Sequence, residues 1–210
     1  MTRFEPFVLY KRSMKPQGIH SIWGEFRWLS PEGIAARSDI VVDGEGFPRD
    51  TAGGFVDPQL MALSNTLNSL RLELPSSVLF TEGPVPGTLE DFPQVRFQSR
   101  YRLEEHNGGI FAAPSVVRLI DLAGSGTIDF ASLVSAEPSA AVFFSRGDHT
   151  CEAIQAELQS APSLDELGAR LFAKVTAYCG FDHDAFFTFE TQDEGLLADV
   201  LRSAQARPRP

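Results

Sequence analysis

Ala140-Ala141-Val142-Phe143-Phe144-Ser145-Arg146-Gly147-Asp148 is the stretch that orders the rest of the chain. Its five leading apolar residues show no polar alternation, the pattern of a strand buried on both faces. The turn cluster Ser145-Arg146-Gly147-Asp148 ends that strand. Cys151, Ile154 and Leu158 then recur at helical spacing, and Ala161-Pro162 stops the helix they predict, because proline disfavours helix in itself and in the residue before it. Ser163-Leu164-Asp165-Glu166 reads as a capping box. Leu164, Leu167, Leu171, Val175 and Tyr178 predict a second helix that Gly180 closes, and Ala185 to Phe189 a second strand. If these two strands run parallel in one sheet, the crossover is right-handed. The loop after Phe144 then lies at a strand's carboxyl end, where open α/β sheets bind ligands.

Toward the N-terminus, Phe7 to Lys11 and Ile22 to Leu29 read as strands joined by the turn Lys15-Pro16-Gln17-Gly18. Trp23 and Trp28 fall on opposite faces of the second, with packing as their expected role. Asp39 to Asp43 is a short strand, followed by a long glycine-rich loop from Gly44 to Gly54. That loop lacks the Gly-Lys-Ser/Thr ending of a phosphate loop. Asp43, Glu45 and Asp50 are acidic, but their spacing is not that of an EF-hand, so no metal site is assigned. Asp57-Pro58 opens a helix through about Leu72, with Leu60, Leu63, Leu67 and Leu70 as its core stripe. Pro75 to Gly83 is a strand with its turn, Pro84 and Pro86 mark a loop, and Val95 to Leu103 alternates as a strand with Arg96, Arg100 and Arg102 outward. Asn107-Gly108 predicts a hairpin turn with Ile110-Phe111 pairing back. Pro114 to Ala123 predicts a helix, and Thr191 to Glu194 caps a last one through about Ala204. Val78 to Gly83 echoes Val142 to Gly147, an expected coincidence of strand and turn composition.

The formal charge of −10 is unevenly placed: residues 1–37 carry +3, 38–95 carry −7, 147–200 carry −9 and 201–210 carry +3. An acidic surface of this kind suits a protein partner, basic partners included, and disfavours nucleic acid, whose phosphates need clustered lysine and arginine. Asp129 and Glu137 interrupt the best candidate for a membrane span. Met1-Thr2-Arg3-Phe4-Glu5-Pro6 lacks the apolar run of a signal peptide, and two cysteines make no disulfide framework. A cytoplasmic protein with no membrane association is expected.

Ser145, Asp148, His149 and Cys151 form the one candidate catalytic set. A thiol in a first helical turn gains from the positive end of the helix dipole, and His149 offers a proton acceptor. Against this, residues two apart on a helix do not face each other, and Cys151 also fits the apolar stripe. Asp182-His183-Asp184 is a second, weaker cluster; Cys179, His20 and His106 show no ligand-type spacing. Phe47, Arg49, Asp50 and Phe55, in and beside the glycine-rich loop, are the candidate partner-binding residues.

Leu164 to Glu190, ending in Cys179-Gly180-Phe181-Asp182-His183-Asp184-Ala185-Phe186-Phe187-Thr188-Phe189, resembles the opening of a GAF-type sensor domain. The 20 residues after Glu190 are too few for the remainder of such a domain, so no family is assigned and no ligand residues are carried over.

The expected fold is mixed, α/β or α+β. It has a strand-rich N-terminal half with a long glycine-rich loop and a C-terminal strand–helix–helix–strand unit plus a terminal helix. One globular domain over 1–204 is expected, with a possible subdivision near 110–138, and a disordered tail over 205–210. The expected function is non-enzymatic protein binding, of the inhibitor, immunity or assembly-subunit kind, through an acidic and aromatic surface and without a cofactor. A hydrolase or transferase using the loop after the 140–144 strand is the alternative, and a small-ligand sensor a further one.

Overall fold

The computed structural model describes residues 4–27, 34, 37–38, 40–83, 85, 87–103, 108–136, 140–181 and 185–205. In chain order it contains β1 (Phe7–Lys15), β2 (Ile19–Phe26), β3 (Ile40–Val42), β4 (Pro48–Asp50), α1 (Pro58–Glu73), β5 (Ser76–Thr81), β6 (Gln94–Leu103) and β7 (Gly108–Asp121). There follow α2 (Phe130–Ala136), β8 (Ala140–Ser145), α3 (Cys151–Ser160), α4 (Leu164–Phe172), β9 (Ala177–Phe181), β10 (Phe186–Thr191), α5 (Glu194–Ser203) and β11 (Ala204–Gln205). Short 3-10 turns lie at Pro16–Gly18 and Gly87–Leu89. Trp28, Leu29, Asp39, Pro84, Pro86, His106, Asn107, Asp182-His183-Asp184 and 206–210 fall outside the described residues.

The fold is α+β. Nine strands make one sheet in the order β11-β1-β2-β10-β9-β8-β5-β7-β6, while β3 and β4 pair separately. Every pairing in the large sheet is antiparallel except the two-residue contact of β11 with β1. Helices cover both faces. Val142 and Phe144 point into one core with Leu63, Leu67 and Leu70 of α1, Phe130 of α2 and Leu197 of α5. Their neighbours Ala141 and Phe143 point into the other, with Ile154 and Leu158 of α3 and Leu167 and Leu171 of α4. All six residues of β8 are buried, as the uninterrupted apolar run predicts.

The two echoing segments lie side by side, with Val78 opposite Phe143 and Leu79 opposite Val142. Their surroundings differ: β5 continues to β7 and β6, β8 to β9 and β10. At the seam between the N-terminal hairpin and β10, Gly24 sits opposite Phe187. A Cβ there would lie 2.6 Å from the Val8 carbonyl, so only glycine lets the strands close under the rings of Phe7 and Phe187. Trp23, on the opposite face, stacks on Phe186 at 5.6 Å and 15°.

Three expectations are corrected. Residues 114–123 are not helical: 115–120 pair with β6, and 118–121 with β5. Proline is tolerated there because Ser99 faces Ser115 while Tyr101 faces Ile110, so 111–114 bulge out opposite Arg100 alone. The helix after Ser163 ends at Phe172, and Ala177–Phe181 is a strand with Gly180 inside it. Val175 and Tyr178 still join Leu167 and Leu171 in one core, which is why their spacing mimics a longer helix. The 140–144 and 185–189 strands are also not parallel neighbours, since β9 lies between them and pairs antiparallel with both, so the ligand rule for open parallel sheets does not apply. Two boundaries shift as well: the glycine-rich loop contains β4, and Gln205 belongs to β11 rather than to a tail.

Arg71, buried near the end of α1, is the polar fastener of the first layer. Its Nε donates to Ser77 Oγ (3.2 Å), Nη1 to Asn68 Oδ1 (3.1 Å) and the Gly126 carbonyl (2.9 Å), and Nη2 to the Leu122 (2.9 Å) and Ser125 (3.2 Å) carbonyls. Replacing it strands the buried acceptors, Ser77 Oγ and the Leu122 carbonyl, away from water. Arg71→Met is expected to lower stability by about 2–4 kcal/mol. Urea titration checks this as a lower midpoint with an unchanged slope.

Candidate functional site

The turn after β8 brings two of the four candidate catalytic residues together. Ser145 Oγ accepts from the Gly147 N–H (3.0 Å), meets His149 Nε2 at 2.5 Å and lies 3.4 Å from the Lys174 carbonyl. The His149 N–H donates to Ser76 Oγ (3.3 Å), which ties the turn to β5. Burial holds the His149 imidazole below its ordinary pKa, the Lys174 charge adds to this, and Asp148 opposes it. The neutral ring is therefore a competent proton acceptor, but its serine is only 4% exposed and knots the turn through its hydroxyl. Asp148 is exposed, and its contribution to His149 is charge alone.

Cys151 is buried in the core stripe with Ile154 and Leu158. The dipole of α3 favours a thiolate, but desolvation wins, and with Asp121 and Glu152 nearby the thiol is pushed up to about 12. Cys179, fully enclosed in β9, is raised further still by burial. Neither thiol is placed for nucleophilic work.

Three of the four candidate partner-binding residues, Phe47, Arg49 and Phe55, converge on one face, while Asp50, opposite Ile40, lies on the other. β3 and β4 form a hairpin whose register sets Val41 opposite Arg49, and Arg49 bridges in turn to Phe55. Cross-strand neighbours share a face, so Val41, Arg49 and Phe55 stand in one row. Phe47, two residues before Arg49, extends that row. Val41, Phe47 and Phe55 are 56%, 48% and 58% exposed. Arg49 is held among them by Asp43, Nε to Oδ2 at 2.9 Å.

The loop is built by its aspartates. Asp43 Oδ1 accepts from the Glu45 and Phe47 N–H groups, both at 2.9 Å. Asp50 Oδ1 accepts from those of Ala52 (2.8 Å) and Gly54 (2.7 Å). These are Asx turns, in which a short carboxylate satisfies its own loop. The hydrogen bonds from Phe47 and Arg49 keep the Asp43 carboxyl below the usual range. With both carboxylates committed to separate turns, no three potential metal ligands converge among the described residues. On the hairpin's other face Ile40 and Pro48 are buried while Val42 and Asp50 are exposed, and Asp57 caps α1.

One feature is missed by motif reading. Glu190, the next-to-last residue of the aromatic strand β10, is buried, accepting from Ser21 Oγ (3.0 Å) and pairing with Lys15 Nζ (2.5 Å) beside a cavity under α4. The available signal is period two: Phe186, Thr188 and Glu190 share a face, and a carboxylate ending such a run needs a partner.

No family model, no curated protein and no solved structure matches this chain. The GAF-type likeness of Leu164 to Glu190 is accordingly carried no further. No described helix is long and apolar enough to cross a membrane.

Two outcomes are expected at the turn after β8. Native protein at pH 8 should react negligibly with a disulfide reagent over minutes, and both cysteines should react after denaturation. Because the folded His149 pKa is depressed, its stabilising contribution is present above the unfolded value of 6.5 and is lost as pH falls through the folded value. Melting temperature should therefore decline below pH 6.5, and His149→Asn should flatten that decline.

Proposed function

We propose that this protein is a binding module that engages another protein through the outward face of the β3–β4 hairpin. The observation that supports the reading best is the exposed row of Val41, Phe47 and Phe55 around the Asp43–Arg49 ion pair. Grouped exposed aromatic and aliphatic side chains with an arginine among them have the composition of an interface centre. Two Asx turns pre-shape the loop, so little conformational freedom remains to be lost on binding.

Charge selects the kind of partner. Residues 38–57 carry five acidic side chains and one basic one, a net of −4. An apolar patch on so acidic a segment fits a protein surface with an apolar centre and a basic rim, and long-range attraction would speed their encounter. Catalysis at the turn after β8 is the weaker reading, because Ser145 is sealed and Cys151 is protonated at neutral pH.

Affinity purification from the native source, in parallel with Phe47→Ser/Phe55→Ser, tests this reading. A stoichiometric protein that wild type retains at low salt, releases at higher salt and the variant fails to retain is the expected result. A partner held equally by the variant, or none recovered with wild type, argues against the hairpin face. Sedimentation of the pure protein separates a heterologous partner from self-association.

A further inference from the structure

A cavity of about 250 Å3 lies between α4 and the sheet, apart from both the hairpin face and the turn after β8. Phe143 and Tyr178 contribute two rings to its lining, with centroids 5.5 Å apart, and Leu164 and Leu171 of α4 add apolar wall. Tyr178 lies across Gly180, where a Cβ would meet its Oη at 2.6 Å, so the glycine in β9 makes room for the phenol. The volume exceeds the roughly 150 Å3 that encloses a benzene molecule. One ring with a short chain is the size that fits.

The polar end of the cavity decides the ligand's charge. The Glu190 side chain is 11% exposed and is oriented by Ser21, while that of Lys15 is 40% exposed on a flexible stem. The carboxylate is thus the fixed member of the pair and the ammonium the replaceable one. Asp165 also lines the space, so its formal charge is −1 with Lys15 in place. The positive end of the α4 dipole is already met by Asp165 and Glu166 in the first turn. An incoming anion would face two carboxylates. An incoming ammonium would take the place of the Lys15 head group and lie near aromatic rings, which favour cations.

We propose that this cavity binds a small aromatic primary ammonium, its ring beside Phe143 and Tyr178 and its charge on Glu190. The binding is non-covalent and independent of the hairpin face.

Calorimetric titration with 2-phenylethylammonium, and with 3-phenylpropionate as an anion of similar shape, tests the assignment. The ammonium should bind saturably, and the anion at least about tenfold more weakly. Glu190→Gln, which keeps the Ser21 contact, should weaken the ammonium at least about tenfold. Leu164→Trp, at the half-exposed edge of the cavity, should block it while leaving the melting temperature near that of wild type; this variant decides the matter if Glu190→Gln does not fold. An anion bound as tightly as the ammonium, an affinity indifferent to both substitutions, or no ammonium binding up to about 10 mM would overturn the proposal.

Discussion

Burial of the central strands on both faces is the constraint on which the rest of the molecule depends. β5, β8 and β9 are buried along their whole lengths. No water reaches their backbone groups, so each needs a hydrogen-bonded neighbour on both edges. That requirement brings β7 and then β6 against β5, and β10 against β9. β10 in turn accepts the N-terminal hairpin through the close approach at Gly24, and the parallel contact of β11 with β1 follows. Helices close the two faces because a sheet apolar on both sides cannot leave either in water.

The acidic composition has more than one use. Asp43 and Asp50 close turns, Asp57 caps α1 and Asp193 caps α5, in each case by accepting from backbone N–H groups. Asp193 also pairs with Arg146 at 2.7 Å, fastening the turn after β8 to the start of α5. Part of the charge that looks like a steering surface in the sequence is therefore structural. What remains around the hairpin is a set of exposed apolar side chains about the Asp43–Arg49 pair, and under α4 a carboxylate whose counter-ion is the more exposed partner.

Legibility varied with how locally each element is specified. The N-caps of α1 and α4 were readable because the residues that satisfy the first N–H groups lie within a few positions of one another, although Glu166 pairs with Arg170 instead of closing the expected capping box. β8 was readable because an unbroken apolar run has few other uses. Residues 114–123 were misread because proline and a terminal glycine also delimit helices, and only pairing with β5 and β6 selects the extended form. Val175 and Tyr178 misled for a related reason: burial in one core imitates helical periodicity across a chain reversal. Of the candidate sites, Phe47, Arg49 and Phe55 could be named but not the face they share with Val41 and without Asp50, and the Lys15–Glu190 pair spans too much sequence for any motif to flag.

By itself, then, the sequence determined the mixed helix-and-strand composition, the buried status of β8, most helix starts, the acidic balance and the loop that carries Phe47 and Phe55. Those properties are set by neighbours within about one or two helical turns, or by composition alone. Only the tertiary structure decided the antiparallel order of the sheet, the sealing of Cys151, the meeting of Ser145 with His149 and the cavity beside Glu190. Each of these depends on which distant segments compete for the same backbone hydrogen bonds and the same apolar surface, a choice made by the folded chain as a whole.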